Sequence, residues 1–220
     1  MPILLLVRHA LTEDTGKRLS GWTPDLHLSE RGLEQARTLV DRLAPVRISA
    51  LYSSPLERCR ETAEPLAAAR RLEVRETEDL GEVRYGDWTG RTLAQLSKTR
   101  LWRSVQATPS AVRFPGGETL LEVQQRAVRQ AATIAAAHPR GVVALVSHGD
   151  VIRLLLAHFA GLHVDLFQRL VVSPASVSVV AAADGAPGVP GVPRVLRIND
   201  TGGLGDLAPS GRRPGRKVGG

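Results

Sequence analysis

Residues 3–10 read ILLLVRHA, and this stretch decides the fold class of the chain. Residues 3–7 form a short continuous aliphatic run, which is typical of a strand buried on both faces in a parallel sheet. Arg8 and His9 follow at once, although both side chains are costly to remove from water. Because ligands bind beyond the carboxyl ends of strands in open α/β sheets, this pair predicts a functional site at the end of the first strand.

A second aliphatic run, residues 142–146, also leads to a histidine, within the sequence SHGD at 147–150. Strand-like and helix-like segments alternate between the two runs, which predicts a three-layer α/β/α sandwich around a mostly parallel sheet. Further strands are predicted at residues 48–52, 72–74, 176–182 and 195–198, the last two as a long-looped hairpin or as neighbouring edge strands. Helices are predicted after a Ser29 cap, from the Ser54–Pro55 pair towards Arg71, and at residues 92–105, 118–137 and 151–159.

The composition of the chain predicts one folded domain with a tail. Residues 1–201 have the composition of a globular domain, whereas residues 202–220 are rich in Gly, Pro and Arg and are expected to be disordered. The single cysteine, Cys59, excludes an internal disulfide framework and a cysteine-based metal cluster.

The charge and hydropathy pattern excludes two classes of partner. The net charge of +7 invites a nucleic-acid interpretation, but the tail carries +3 of it, and no nucleic-acid-binding motif is recognisable. No apolar run approaches the roughly 20 residues that a membrane span requires, so no membrane partner is expected. The N-terminus has no signal-peptide pattern, and we expect a cytoplasmic protein.

Four basic side chains are predicted to meet at one edge of the sheet. Arg8, His9 and His148 follow strand ends, and Arg58 lies in the first turn of a predicted helix, within SSPLERCRETA at 53–63. Each alone has a plain explanation, as a solvated loop histidine or an arginine paired with a neighbouring glutamate. Together they would repel one another without an anion, and the planar guanidinium matches phosphate oxygens. The set therefore predicts a phosphoryl site.

Four motifs follow one another along the chain: VRHALT at 7–12, SSPLERCRETA at 53–63, LGEVRYGDWTG at 80–90 and SHGDVIR at 147–153. Together they resemble the motifs of the histidine phosphatase (phosphoglycerate mutase-like) superfamily. The resemblance extends from residue 3 to about residue 199 and implies the phosphoglycerate mutase-like fold. LWRSVQATPS, FPGGE and SPASVSV are also similar to an actinobacterial branch described only as phosphomutases or phosphatases.

The resemblance implies a role for each residue that matches a motif. His9 would be the nucleophile that becomes phosphohistidine, while Arg8, Arg58 and His148 would hold the phosphoryl oxygens. Glu82 would be the proton donor. It implies no cofactor, and we expect catalysis without a metal.

Further residues are candidates for binding the substrate. Trp22 has core packing as its alternative role, and for Glu118 the alternative is charge compensation at a helix N-terminus. The full set is Thr12, Trp22, Arg84, Tyr85, Arg113, Glu118 and Gly149. Two departures from the family pattern stand out: Ala10 replaces the usual glycine, and an asparagine common after the signature is absent from TEDTGKR at 12–18.

The expected function is hydrolysis of a small phosphomonoester through a phosphohistidine intermediate. GEVRYGDWTG resembles the acid motif of family phosphatases more than that of the mutases, and the segment between Trp88 and Phe114 is short. A cofactor-dependent phosphoglycerate-type mutase and a phospholigand-binding pseudoenzyme are the alternatives. The expected partner is a small phosphorylated metabolite; the sequence leaves its identity and the oligomeric state open, a homodimer being the assembly considered.

Overall fold

The computed structural model describes residues 1–182 and 192–203 of the chain. Within them, six strands form one sheet in the order β3-β2-β4-β1-β5-β6. Their bounds are β1 Ile3–Arg8, β2 Ile48–Ser53, β3 Val74–Glu76, β4 Val142–Ser147, β5 Val177–Ala181 and β6 Arg194–Asp200. β1 to β4 run parallel, β5 is antiparallel to β1, and β6 is antiparallel to β5. The prediction of a mostly parallel sheet is confirmed.

The register of β1 and β4 brings the two motif histidines together. Arg8 of β1 is paired with Ser147 of β4, so His9 and His148 are the next residues along two neighbouring parallel strands. Leu4 and Leu6 point to one face of the sheet, whereas Leu5 and Val7 point to the other, and all four are buried. This double burial explains the uninterrupted aliphatic run.

Helices cover both faces of the sheet. α1 (Glu30–Arg42) and α2 (Glu57–Arg70) pack on the face that carries Leu5 and Val7. α5 (Leu120–Ala137) and α6 (Gly149–Phe159) pack on the opposite face, together with α4 (Arg100–Ala107). A one-turn helix, α3 (Leu93–Leu96), precedes α4. The layers confirm the predicted three-layer sandwich.

Of the two helix caps predicted from the sequence, one is confirmed and the other is wrong. Ser29 caps α1 as predicted, because its Oγ accepts a hydrogen bond from the Gly32 N–H at 3.2 Å. The prediction that Ser54 caps the next helix is wrong, since α2 begins at Glu57 and Leu56 occupies the cap position. The Ser54 N–H instead donates to the Val146 carbonyl at 2.9 Å, which continues the pairing at the end of β2.

Two other segments differ from the prediction. The helix predicted over 92–105 is divided into α3 and α4, because the Thr99 hydroxyl accepts a hydrogen bond from the Trp102 N–H and starts a new helix. The third strand lies at Val74–Glu76 rather than 72–74. β5 and β6 are antiparallel neighbours as predicted, but only β6 lies at an edge.

The connection at residues 183–191 lies outside the described residues, as does the predicted tail beyond residue 203. Among the helices in the described part of the chain, none is both long enough and apolar enough to cross a membrane.

Candidate active site

His9 lies at the end of β1, buried, with its imidazole fixed in one tautomer. Its Nδ1 is 2.7 Å from the Ala10 carbonyl oxygen, and since a carbonyl can only accept, Nδ1 carries the proton. The lone pair therefore lies on Nε2. Burial, followed by the positive charges of Arg58 and Arg8, holds the pKa of His9 well below its ordinary value. His9 is thus a neutral imidazole with an available nucleophilic nitrogen.

Ala10, which stands in place of the usual glycine, does not crowd this site. Its side chain is fully buried in the core beside α1 and α2 and is not part of the cavity wall. Its N–H donates to the Thr62 hydroxyl at 3.0 Å. The additional methyl group therefore leaves the carbonyl that orients His9 in place.

Two guanidinium groups present donors that the protein itself leaves unpaired. Arg58 is only 1% exposed, and its Nη2 donates to the Gly21 carbonyl at 2.7 Å. Arg8 donates from Nη1 to the Val172 carbonyl at 2.6 Å. Among the described residues, nothing accepts a hydrogen bond from the buried Nη1 of Arg58 or the buried Nε of Arg8. Since a buried unpaired donor is costly, both positions favour an anionic ligand.

His148 occupies the N-cap position of α6, directly after β4, and its side chain makes no capping hydrogen bond. Arg58 Nη2 donates to His148 Nδ1 at 3.2 Å, so the proton is on Nε2, which donates to Ser54 Oγ at 2.8 Å. The ring is fully buried, its centroid is 5.3 Å from that of His9, and it does not line the cavity. Burial, with Arg58 and His9 next, holds its pKa well below the ordinary value.

Glu82 supplies a carboxyl group that is partly protonated near neutral pH. Its Oε2 is 3.8 Å from His148 Nδ1, and its Oε1 accepts from the Val83 N–H at 2.9 Å. Burial first, and then the negative charge of Asp150, raise its pKa to about 7, against the lowering effect of Arg58. A carboxyl with this pKa can act as either proton donor or proton acceptor.

The backbone of Glu82 is held by residues from distant parts of the chain. Its carbonyl accepts from Trp22 Nε1 at 2.6 Å and from Arg126 Nη2 at 2.9 Å. Arg126, on α5, also donates to the Gly81 carbonyl at 2.9 Å and forms an ion pair with Glu118 at 3.0 Å. Trp22 and Glu118 therefore support the loop that carries the acid and do not line the cavity.

Tyr85 and Asp150 form a hydrogen-bonded pair beside Glu82. The Tyr85 hydroxyl donates to Asp150 Oδ2 at 2.7 Å, and Arg153 Nη1 donates to Oδ1 at 2.9 Å. Burial and Asp150 hold the pKa of Tyr85 well above its ordinary value, so the hydroxyl remains a donor. The sequence prediction named Tyr85 but did not assign Asp150, although Asp150 lies within the SHGD motif.

These groups face a cavity of about 490 Å³ at the carboxyl ends of β1 and β4. Of the residues predicted from the sequence, those that line it are Arg8, His9, Thr12, Arg58, Glu82, Tyr85 and Gly149. Gly149 packs against Arg8, since a Cβ there would lie 3.2 Å from the guanidinium carbon. The structure therefore brings the predicted nucleophile, both arginines and the acid into one site.

Two further predicted substrate contacts, besides Trp22 and Glu118, also lie outside the cavity. Arg84 is stacked 3.8 Å from the Trp22 ring centroid and is paired with Glu78. Arg113 is exposed and forms an ion pair with Glu122. Neither arginine lines the cavity. Across residues 1–182 and 192–203, no three His, Cys, Asp or Glu side chains are grouped so that they could hold a metal ion.

Comparison with known proteins agrees with this arrangement. The family model described as histidine phosphatase superfamily (branch 1) matches residues 4–193. The chain belongs to the histidine phosphatase superfamily. Similar members of the superfamily carry both phosphatase and mutase names, and the arrangement of the site fits a phosphatase or mutase enzyme.

Two curated members illustrate these names. Phosphoserine phosphatase 1 of Hydrogenobacter thermophilus is 32% identical over 181 residues, which are 80% of this chain and 85% of the relative. The probable phosphoglycerate mutase GpmB of Proteus mirabilis is 32% identical over 179 residues, covering 80% and 82% of the two chains. A solved mycobacterial structure, glucosyl-3-phosphoglycerate phosphatase Rv2419c, superposes with a TM-score of 0.80 at 27% identity, covering 90% of this chain and 98% of its own.

Proposed function

We propose that this member of the histidine phosphatase superfamily hydrolyses a small phosphomonoester through a phosphohistidine intermediate on His9. The observation that carries the proposal is the combination of a neutral His9, protonated on Nδ1, with two arginines whose buried donors are unpaired in the described structure. A phosphoryl group would satisfy the arginines and lie in the cavity that His9 lines.

The first chemical step forms the phosphoenzyme. Nε2 of His9 attacks phosphorus while the bond between phosphorus and the ester oxygen breaks, and its electron pair leaves with that oxygen. Glu82 donates its proton to the departing oxygen. Arg8 and Arg58 stabilise the negative charge on the equatorial oxygens during transfer.

The second step returns the enzyme to its starting state. A water molecule attacks phosphorus from the side that the alcohol has left, and the Glu82 carboxylate accepts a proton from it. The bond from phosphorus to Nε2 of His9 breaks, and inorganic phosphate leaves. With a pKa of about 7, Glu82 can serve both steps near neutral pH.

Trapping of the phosphoenzyme tests the proposal. The chain is mixed with ³²P-labelled p-nitrophenyl phosphate and quenched in alkali, in which phosphohistidine survives and phosphoserine does not. We expect label on the wild type and none on His9→Ala. The control is His158→Ala, since His158 is an exposed histidine at the end of α6 and should leave labelling intact. Label on another residue type, or label that persists in His9→Ala, would exclude this mechanism.

A parallel experiment on the native phosphoenzyme, without the alkaline quench, separates the two alternatives. Adding unlabelled 3-phosphoglycerate to the isolated phosphoenzyme would move the label to a phosphoglycerate in a mutase, whereas a phosphatase releases it as inorganic phosphate. A pseudoenzyme would bind the phosphoester but would neither become labelled nor release nitrophenol. We expect release as inorganic phosphate.

A further inference from the structure

The cavity has a second, less polar part that the phosphoryl chemistry does not use. We call it the outer lobe and define it by Leu19, Leu93, Trp102, Val105, Gln106 and Phe167, all of which line the cavity. Its members come from the loop after β1, from α3 and α4, and from the turn after α6. Because these residues line the same cavity as His9, Arg8 and Arg58, we expect the leaving group of a bound phosphoester to contact the outer lobe.

The aromatic wall of the outer lobe is preorganised. The Trp102 ring is stacked on Trp88 with centroids 6.1 Å apart and 28° between planes, and Trp88 packs against Phe114 at 5.4 Å. Trp88 and Phe114 are both buried. A ring held in this way offers apolar contact area without losing side-chain entropy on binding.

Apart from Arg8 and Arg58, the arginines that line the cavity are already paired. Arg153 donates to Asp150 at 2.9 Å and to the Leu170 carbonyl at 3.0 Å. Arg18 donates to the Gly90 carbonyl at 2.9 Å and lies 3.8 Å from Asp14. A carboxylate on the leaving group would have to compete for these arginines, and Asp150 would repel it.

The size of the cavity also favours a leaving group that is larger than a small carboxylated alcohol. At about 490 Å³, it is within the range of pockets that hold ligands larger than a three-carbon phosphate. A small carboxylated leaving group would fill little of the outer lobe and would leave its apolar wall in contact with water.

From these observations we infer that the outer lobe selects phosphomonoesters of uncharged alcohols with a flat aromatic or alkyl group, and that Trp102 determines this specificity. The inference rests on the proposed function and names its substrate class. This substrate class differs from phosphoserine and glucosyl-3-phosphoglycerate, the carboxylated compounds in the names of the two phosphatases described above.

A matched pair of esters tests the inference. Hexyl phosphate and 6-(phosphonooxy)hexanoate have alkoxide leaving groups of similar reactivity and differ only in a terminal carboxylate. We expect kcat/KM to be at least about tenfold higher for hexyl phosphate, because an unpaired carboxylate in an apolar lobe is disfavoured. Equal values, or a preference for the carboxylated ester, would overturn the inference.

Variants in the outer lobe provide the second readout. Trp102→Ala should lower kcat/KM for hexyl phosphate about tenfold with little change for methyl phosphate, and Trp102→Phe should recover most of the loss. The control Leu121→Ala, at an exposed position on α5, should leave the ratio of the two esters unchanged. If Trp102→Ala affects hexyl and methyl phosphate equally, Trp102 does not determine specificity.

A second variant, Gln106→Arg, keeps the inference testable if Trp102→Ala does not fold. Gln106 is exposed, and the substitution adds an unpaired cation to the outer lobe. It should raise kcat/KM for 6-(phosphonooxy)hexanoate severalfold, and no gain would contradict the assignment of this lobe to the leaving group. Labelling of His9 by p-nitrophenyl phosphate distinguishes failure of the substrate class from failure of the proposed function. Label without the expected ester preference overturns only the substrate class, whereas the absence of label and turnover overturns both proposals.

Discussion

Replacing Glu82 by glutamine should stabilise the folded protein at neutral pH while removing the proton donor of the proposed reaction. The side chain is only 13% exposed, and the pKa of its carboxyl is raised to about 7 from a reference value of 4.5. Glutamine has nearly the same shape and cannot ionise. The variant therefore removes the free-energy cost of holding this acid in the folded state.

The size of the effect follows from the two pKa values. Below about pH 4.5 the carboxyl is protonated in both folded and unfolded chains, so it costs nothing. Between about pH 4.5 and 7 only the unfolded chain ionises, and the wild type loses about 1.4 kcal/mol of stability per pH unit. Above pH 7 both states are ionised, and the accumulated cost remains constant at about 3 kcal/mol.

Urea unfolding of wild type and Glu82→Gln between pH 4.5 and 8 measures this cost. We expect the difference in the free energy of unfolding to grow from near zero to about 3 kcal/mol in favour of the variant, and then to level off. Glu64→Gln, at an exposed position on α2, is the control for losing a carboxylate as such. A difference that does not vary with pH, or a variant less stable than wild type at pH 7.5, would refute the reasoning.

Four other outcomes are expected. Asp150→Asn removes a charge that raises the pKa of Glu82, so the alkaline limb in the pH profile of the single-turnover phosphorylation rate should move to lower pH. An unmoved limb would show that Asp150 does not influence the group that limits this rate. Glu82→Gln should slow phosphorylation by about 10²-fold for alkyl phosphates and less for aryl phosphates, whose leaving groups need little protonation; a uniform defect would assign Glu82 to positioning. EDTA should leave turnover unchanged, because arginines supply the positive charge, and activity restored only by added Mg²⁺ or Zn²⁺ would contradict this. Gly32→Ala should destabilise the protein by about 1–3 kcal/mol or more in urea unfolding, since its Cβ would lie 2.0 Å from the Leu11 carbonyl oxygen; unchanged stability would show that this contact relaxes freely.

The parts of the site that the sequence predicted are those attached to strand and helix ends. The aliphatic runs before Arg8 and His148 identify two buried parallel strands, and parallel strands place their carboxyl ends at one edge. Arg58 belongs to the first turn of α2, which the sequence also located. The nucleophile and both arginines could therefore be predicted before their distances were known.

The loop contacts could not be predicted in this way. Arg84 and Arg113 have the residue type expected of a substrate ligand, but each is paired with a nearby glutamate outside the cavity. Conversely, Trp102 belongs to a segment with an ordinary amphipathic pattern, and no local signal shows that its ring reaches the cavity. Such contacts depend on how loops far apart in the chain are packed, which the local pattern does not encode.

The same dependence on distant residues means that Glu82 cannot be transferred to another protein with its loop alone. Residues 80–90 carry Glu82, but Trp22 and Arg126, which bind its carbonyl, lie outside that segment. Grafting the segment onto another scaffold would transfer the carboxyl without its orientation. The smallest transplantable proton donor is therefore a discontinuous unit of three chain segments, in which Arg126, in the second turn of α5, anchors the acid-bearing loop through the carbonyls of Gly81 and Glu82. A designer who wants this chemistry in a new protein has to build that anchor first.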